Sequence, residues 1–123
     1  VVLPLLDSDI YDIFEAVASG IGTSSPIWSD DITMGVVMAS KGYPGSYRKG
    51  FEIEFNPNGE RIYHMGTSIK DGKIVTSGGR VLSVTGMGAT LREAVDRAYD
   101  GVKKISFEGM FYRKDIAHRA FER

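Results

Sequence analysis

Short apolar runs, separated by turn signals at intervals of roughly ten residues, fill the middle of the chain between Ile32 and Thr85. The first run is apolar at consecutive positions from Val36 to Ala39, which predicts a central strand. Asp71–Gly72 is a strong signal for a two-residue hairpin. The predicted strands are, in order, Ile32–Ser40, Phe51–Phe55, Arg61–Lys70, Lys73–Thr76 and Val81–Thr85. This series predicts a meander of about four to five antiparallel strands, as in a small barrel or sandwich.

Two further segments have the apolar periodicity of helices. Asp7–Ser8 is predicted to cap a short helix that continues to Ala18, where nearby glycines end it. Thr90–Glu93 has the capping-box pattern. Apolar residues continue from it at helical spacing to Ile105, which predicts an amphipathic helix of about four turns.

Together these elements predict an α+β fold: a mainly antiparallel β-sheet or partial barrel, with one long packed helix and a short N-terminal helix. Residues Ile105 to Ile116 are predicted to form a final strand or an extended tail, and Ser24–Pro26 and Asn56–Gly59 to be connectors. The predicted core residues are Val36, Met38, Ile53, Phe55, Ile62, Ile74, Leu82, Val84, Leu91, Val95, Ala98, Val102, Ile105 and Phe107.

Composition limits the classes of function. The 123 residues suffice for one domain and hardly more, and 42% hydrophobic with 25% charged residues is typical of a globular protein. A net charge of −1 predicts no general affinity for nucleic acid or anionic membranes. The absence of cysteine excludes disulfides and thiolate metal sites, and His64 and His118 lack the spacing of metal ligands. The N-terminal Val1–Leu6 resembles no signal peptide and suggests a segment of a longer protein.

Two stretches carry chemistry suited to an anionic ligand. Gly78–Gly79–Arg80 places an arginine directly after paired glycines, whose backbone N–H groups can turn toward a ligand. The alternative is an ordinary hairpin turn or bulge with a surface arginine. Lys41–Gly50 combines three glycines, a proline, two tyrosines and three cations, which indicates either a ligand-binding loop or a long solvated turn.

Four motifs occur in order along the chain: Ala39–Gly45 (ASKGYPG), His64–Thr67 (HMGT), Thr76–Leu82 (TSGGRVL) and Phe107–Ile116 (FEGMFYRKDI). Together they resemble the C-terminal part of the phosphoribosylamine–glycine ligases (glycinamide ribonucleotide synthetases), ATP-grasp enzymes of purine synthesis. The resemblance covers nearly the whole chain, from Val1 to about Ala120.

The resemblance implies residues 1–22 are the tail of the ATP-grasp core and residues 23–123 the ligase C-terminal domain. It implies a cytoplasmic enzyme in which ATP phosphorylates glycine and the nitrogen of 5-phosphoribosylamine attacks the acyl phosphate. ATP and Mg²⁺ would be held by the N-terminal and ATP-grasp domains of the complete ligase. No cofactor, metal ligand or catalytic residue is therefore expected in this chain, which alone should be inactive.

What remains for this domain is to bind the 5′-phosphate, by analogy with related ATP-grasp enzymes of the purine pathway. The resemblance makes Arg80 the first candidate for that role. The further candidates are Lys41, Gly42, Gly78 and Gly79, followed by Tyr43 and Arg113. Arg113–Asp115 could instead form an ion-pair cluster. The sequence departs from the family pattern at Met65 and Gly86, where alanine is usual, and at Ala117, where glycine often follows the Asp-Ile pair.

A different class of function stays open from the residues alone: a non-catalytic β-rich binding or carrier module. A carrier needs an exposed lysine at a tight hairpin, and Lys73 is the nearest candidate, although it lacks flanking methionines. A ligand-free protein-interaction domain is a third possibility. If residues 1–22 belong with another domain, we expect self-association or a loosely held N-terminal helix.

Overall fold

The computed structural model describes residues 1–22, 25–56 and 58–122. A single 3₁₀ turn at Leu3–Leu5 precedes the first helix. The helices are α1 Ile10–Ala18, α2 Leu91–Val102 and α3 His118–Phe121. The strands are β1 Ile32–Ser40, β2 Glu54–Phe55, β3 Arg61–His64, β4 Thr67–Lys70, β5 Lys73–Thr76, β6 Arg80–Gly88, β7 Ile105–Ser106 and β8 Met110–Phe111.

Parts of two predicted connectors fall outside this range. Ser24, in the connector predicted at Ser24–Pro26, and Pro57, in the turn predicted at Asn56–Gly59, lie outside the described residues. Of the helices in the described part of the chain, none combines the length and apolar character needed to cross a membrane.

The main sheet has four antiparallel strands in the order β3-β6-β1-β8. The β1–β6 ladder runs from the Ile32–Gly88 pair to the Met38–Leu82 pair, and then shifts so that Ala39 lies opposite Arg80. Strand β1 therefore lies between two neighbours, which confirms the prediction of a central strand.

Two smaller strand pairs complete the β structure. Strands β4 and β5 form the predicted hairpin, with Asp71 and Gly72 both at positive φ (51° and 76°), as a tight two-residue turn requires. Strands β2 and β7 pair through Phe55 and Ile105. Within the described residues the strands do not close into a barrel, and the mixture of antiparallel sheet and helices confirms the α+β prediction.

The core lies between α2 and the main sheet. Its fully buried side chains include Val36 and Met38 of β1, Leu82 and Val84 of β6, and Val102 of α2. Most of the predicted core residues are buried, whereas four are partly buried and pack against the cluster from its margin. These four are Phe55, Ile62, Ile74 and Leu91. The prediction omitted three buried members, namely Met34, Val81 and Ala94.

Gly86 sets how closely α2 approaches β6. A Cβ built at Gly86 would lie 2.1 Å from the Ala94 carbonyl oxygen and 2.5 Å from the Ala98 nitrogen. A methyl group cannot occupy that space without moving the helix. The glycine thus permits a close helix–strand contact that the methyl group of an alanine would force apart.

Helix α1 has no buried residue. Its N-cap is Asp9, whose carboxylate accepts from the Tyr11 N–H at 2.7 Å, so the predicted cap at Asp7–Ser8 is wrong by one position. The hydroxyl of Ser8 instead accepts from the Ile27 N–H. The Ser8 side chain, which the local pattern assigned to the helix cap, is therefore used in a long-range hydrogen bond instead.

The single strand predicted at Arg61–Lys70 is wrong, because the chain bends at Met65–Gly66 and divides it into β3 and β4. These two pieces pair with different partners, β3 with β6 and β4 with β5. A Cβ at Gly66 would lie 2.7 Å from the Gly78 Cα, so the bend brings two backbones into direct contact.

Three other boundaries differ from the prediction. Helix α2 ends at Val102, and Ile105 belongs to β7 because it pairs with Phe55. Of the strand predicted at Phe51–Phe55, the last two residues form β2, whereas the Ile53 N–H donates to the Ile74 carbonyl of β5. The tail predicted at Ile105–Ile116 contains two short strands joined by a turn, β7 and β8, and the chain then ends in α3.

Candidate functional site

The paired glycines lie in the turn between β5 and β6. The Ser77 and Gly78 N–H groups both donate to the Gly66 carbonyl, at 2.8 and 3.1 Å. Neither Gly78 nor Gly79 has a positive φ. Because Gly78 has no Cβ, its backbone can lie close to that of Gly66. The Gly78 N–H is already hydrogen-bonded to a backbone carbonyl.

Gly79 lies against the ring of Tyr43. A Cβ built at Gly79 would lie 2.1 Å from Tyr43 Cδ2. The Gly79 carbonyl accepts from the Ser40 N–H at 2.8 Å, and the Ser40 hydroxyl donates to the Gly78 carbonyl at 3.0 Å. The end of β1 and the glycine turn are thus joined by two hydrogen bonds and an aromatic contact. Gly79 and Tyr43, predicted separately as candidates, are neighbours in the structure.

Arg80 begins β6 and is exposed. It lies opposite Ala39, where the β1–β6 register shifts. Across the described residues, its guanidinium has neither a carboxylate partner nor a side-chain hydrogen bond. The five N–H donors of that group are therefore free to bind an anion.

Lys41 directly follows β1, so it emerges at the same end of the sheet as Arg80. Gly42 has φ of 96°, and a Cβ there would lie 2.2 Å from the Ser46 carbonyl oxygen. Glycine is therefore required for the loop to fold back on itself. Lys41 is exposed and, within the described part of the chain, forms no ion pair.

Lys41 and Gly42 line a groove of about 560 Å³, which we call the loop groove. Its other lining residues are Ser40, Ser46, Tyr47, Arg48, Phe51, Glu108 and Gly109. Tyr43, Gly78, Gly79, Arg80 and Arg113 are not among them. Lys41 and Gly42 therefore line the groove, whereas the other candidates do not.

Several groove residues were not named from the sequence. The Arg48 guanidinium lies 5.2 Å from the centroid of the Phe51 ring, and Lys49 Nζ lies 5.7 Å from that of Tyr47. These cation–π contacts hold two cations on the loop without neutralising them. The cation-rich composition of Lys41–Gly50 was the available signal, but it did not indicate which cations face the groove.

Arg113 has a different environment. Its guanidinium donates twice to Asp115, from Nε to Oδ1 at 2.9 Å and from Nη2 to Oδ2 at 2.7 Å. These bonds lower the pKa of Asp115 to about 2. The Arg113 carbonyl accepts from the Tyr99 hydroxyl at 2.9 Å. Arg113 thus has an internal partner, unlike Lys41 and Arg80.

The site contains cations that have no carboxylate partner among the described residues. Within residues 1–22, 25–56 and 58–122, no group of three or more His, Asp or Glu side chains is placed to hold a metal ion. The arrangement around Lys41, Arg48 and Arg80 is suited to binding and orienting an anionic group. Lys73, the carrier candidate, begins β5 and forms an ion pair with Glu52 at 2.7 Å.

Comparison with known proteins gives a consistent result. Residues 33–119 match the family described as phosphoribosylglycinamide synthetase, C domain. The chain is 48% identical to the human trifunctional purine biosynthetic protein adenosine-3, over 98% of this chain and 12% of that protein. It is 50% identical to phosphoribosylamine–glycine ligase of Caldanaerobacter subterraneus, over 94% of this chain and 28% of that protein.

A solved structure agrees with these matches. The crystal structure of phosphoribosylamine–glycine ligase from Thermotoga maritima superimposes with a TM-score of 0.82 at 37% identity, over 94% of this chain and 29% of that one. The chain spans less than a third of the length of these relatives. Because the family match covers most of the chain, this protein belongs to the phosphoribosylglycinamide synthetase C domain family.

Proposed function

We propose that this chain is part of an ATP-dependent ligase that joins glycine to 5-phosphoribosylamine in purine biosynthesis. The observation that carries the proposal is the family match over residues 33–119, together with relatives named as phosphoribosylamine–glycine ligases. ATP, Mg²⁺ and the chemistry of phosphoryl transfer belong to other domains of the complete enzyme in this proposal. The chain itself binds and positions a substrate.

The 5′-phosphate of 5-phosphoribosylamine is the group we assign to this domain. Arg80 and Lys41 support the assignment, because both are exposed and both emerge at the end of the sheet where β1 meets β6. A lysine directly after β1 and an arginine at the start of the neighbouring β6 suit a dianionic phosphate, whose oxygens accept several charge-assisted hydrogen bonds. Arg48 in the loop groove supplies a third cation at the same end of the chain's fold.

Gly42, Gly78, Gly79 and Tyr43 support this site by shaping it. Gly42 permits the tight return of the loop, and the Gly79–Tyr43 contact holds the loop against the turn that presents Arg80. The Gly78 N–H donates to Gly66, so in this proposal Gly78 acts through backbone packing. Arg113 is the weakest of the proposed contacts because its guanidinium is paired with Asp115.

The test uses the complete ligase, with ADP release measured against glycine and freshly generated 5-phosphoribosylamine. Arg80→Ala should raise KM for phosphoribosylamine by about ten- to a hundredfold, since a charge-assisted hydrogen bond contributes about 1.5–3 kcal/mol. KM for glycine and ATP should stay within a factor of about two. Arg92→Ala is the matched control, because Arg92 is an exposed arginine that lines neither the loop groove nor the glycine turn.

The possible outcomes distinguish an error in the assigned phosphate site from an error in the assigned reaction. If the wild-type enzyme turns over and Arg80→Ala behaves like Arg92→Ala, the phosphate assignment is wrong and the ligase assignment stands. If the wild-type enzyme releases no ADP with these substrates, the reaction itself is wrongly assigned.

We also propose that residues 1–22 pack against the ATP-grasp core in the complete enzyme. The support is the exposed apolar side of α1, where Phe14 and Val17 are 64% and 62% exposed. The family match begins after this segment, at residue 33. Hydrogen exchange of α1 amides should be fast in this chain and slow in the complete enzyme; equally slow exchange in both would contradict the proposal.

A further inference from the structure

Glu108 is the residue of the loop groove to which binding of a phosphate group gives no role. Among the described residues that line this groove, Lys41 and Arg48 are cations and Glu108 is the one acid. Two cations and one acid leave a charge of +1, so an anion is still attracted. A carboxylate nevertheless repels a nearby phosphate, since both are anionic. An acid in this position therefore suits a ligand that carries hydrogen-bond donors beside its phosphate.

The backbone fixes the position of Glu108 at the groove. Phe107 is buried in the core, and its carbonyl accepts from the Met110 N–H at 3.1 Å, which closes a tight turn that contains Glu108. Met110 lies in β8, opposite Ser40 of β1. The turn is thus held by the core at one end and by the main sheet at the other.

This turn packs directly against Lys41. Gly109 has φ of 73°, the conformation that the third position of a type II turn requires. A Cβ built at Gly109 would lie 3.1 Å from Lys41 Cβ. Glu108 and Lys41 are therefore presented side by side along one groove.

The charged groups of the groove do not neutralise one another. In the described part of the chain, none of the ion pairs includes Glu108, Lys41 or Arg48. The Arg48 guanidinium instead lies 5.2 Å from the centroid of the Phe51 ring, and this contact leaves its N–H groups available. A carboxylate, which only accepts hydrogen bonds, thus lies near two groups that only donate them.

The groove is also larger than a phosphate group needs. Its volume of about 560 Å³ is within the range of pockets that enclose a whole small molecule. A phosphorylated sugar has the required combination of groups, because its phosphate accepts hydrogen bonds and its hydroxyls donate them. Carboxylates bind ribose hydroxyls in this way in dinucleotide-binding proteins.

We propose that Glu108 accepts hydrogen bonds from the vicinal ring hydroxyls of a pentose 5-phosphate, while Lys41 and Arg48 bind its phosphate. This inference rests on the proposed function, in which the pentose 5-phosphate is 5-phosphoribosylamine. Glu108 is thereby a specificity-determining residue. It allows the groove to distinguish a sugar phosphate with both hydroxyls from one that lacks a hydroxyl and from phosphate alone.

The test measures the binding of three stable probes to the complete ligase by phosphorus NMR titration at constant ionic strength. The probes are ribose 5-phosphate, 2-deoxyribose 5-phosphate and inorganic phosphate. The wild-type enzyme should bind ribose 5-phosphate at least about tenfold more tightly than either of the other two, the effect of one charge-assisted hydrogen bond.

Glu108→Ala separates this role from that of a merely solvated carboxylate. The variant should bind ribose 5-phosphate at least about tenfold more weakly, with its preference over 2-deoxyribose 5-phosphate lost. It should bind inorganic phosphate as tightly as the wild type or more tightly, because a negative charge has been removed from the groove. Asp96→Ala is the matched control, since Asp96 is an exposed acid of α2 that does not line the groove, and it should leave all three affinities unchanged.

Four results would overturn the proposal. The first is a wild-type enzyme that does not bind ribose 5-phosphate saturably. The second is equal wild-type affinity for ribose 5-phosphate and 2-deoxyribose 5-phosphate. The third is Glu108→Ala binding ribose 5-phosphate as tightly as the wild type, or more tightly. The fourth is equal weakening of all three probes in Glu108→Ala, as expected if the substitution only disturbs the turn.

An error in the phosphate assignment of Arg80 would appear separately. If Arg80→Ala leaves ribose 5-phosphate binding unchanged while Glu108→Ala weakens it, Arg80 is not part of the site and the assignment of Glu108 stands. If Arg80→Ala weakens the binding of all three probes and Glu108→Ala weakens none, the phosphate assignment stands and that of Glu108 is wrong.

Discussion

Helices α1 and α2 both have apolar stripes at helical spacing, but only one of those stripes is covered. The face of α2 is buried against the sheet, with Ala98 and Val102 fully inaccessible. The corresponding side of α1 exposes Phe14 and Val17, and the helix has no buried residue. Periodicity in a sequence therefore predicts that a face is apolar, but the partner of that face depends on contacts far along the chain.

The largest effect should come from matched truncations of the two helices. Val102→Ala should lower the free energy of unfolding by about 2–3 kcal/mol, because it removes buried methyl groups and leaves a cavity. Val17→Ala removes the same atoms near the end of α1 and should change it by less than about 0.5 kcal/mol. Urea unfolding measures both, and similar losses would mean that α1 is buried in solution.

A methyl group added at Gly86 should have the next largest effect. Gly86→Ala should destabilise the chain by about 1–3 kcal/mol, because its Cβ would overlap the Ala94 carbonyl oxygen. The matched change is Gly20→Ala after α1, where φ is 67° but nothing lies within 4 Å of the new Cβ. The strain at Gly20 should appear as faster local exchange with an unchanged urea midpoint. An equal shift of that midpoint in both variants would contradict the comparison.

Removal of the N-cap side chain of each helix should have a smaller effect on stability, and the effect should differ between α1 and α2. Thr90 accepts from the Glu93 N–H at the start of α2, and Asp9 accepts from the Tyr11 N–H at the start of α1. Thr90→Ala should cost about 1 kcal/mol of global stability. Asp9→Ala should speed amide exchange in α1 without changing global unfolding, because α1 opens independently. A global loss in Asp9→Ala would show that α1 unfolds together with the sheet.

The smallest effect concerns pH and the C-terminal segment that packs beside α2. The pKa of Asp115 is about 2 in the folded chain, against an ordinary value of 3.8, because Arg113 donates to the carboxylate. Folding therefore favours the ionised acid, and the stabilising contribution is present above about pH 4 and is lost as the pH falls toward about 2. Carboxyl NMR should give this midpoint in the wild type. In Arg113→Ala the midpoint should move up toward 3.8, and an unmoved midpoint would exclude the ion pair as the cause.

Local signals account for the parts of the fold that were predicted correctly. The bounds of β1, the Asp71–Gly72 hairpin and the Thr90 cap each depend on residues within a few positions of one another. The predictions failed where distant backbone contacts decide the outcome. The break at Met65–Gly66 follows from the contact between Gly66 and Gly78, and Ile105 leaves the helix because it pairs with Phe55.

The candidate site shows the same difference between features set by local sequence and features set by distant contacts. The sequence indicated which stretches carry cations and glycines, since that is a matter of composition. It did not indicate that the Gly78 N–H is used by Gly66, and it left open whether Arg113 pairs with Asp115, as the structure shows, or reaches toward a ligand. Whether a donor is free depends on its neighbours in space, and no spacing rule supplies that information.

The contact between Gly66 and Gly78 also has an evolutionary consequence. The chain leaves the main sheet at Gly66, forms the β4–β5 hairpin and returns at Gly78, whose backbone packs directly against that of Gly66. Because the two ends already meet, added length at Asp71–Gly72 changes the closure entropy only slightly. Ile69, near the tip, pairs with Ile74 across the hairpin, but it is 78% exposed and is not part of the core. We therefore expect insertions at this tip to be tolerated in this family, and a reporter peptide grafted there should leave the main sheet and the loop groove unchanged.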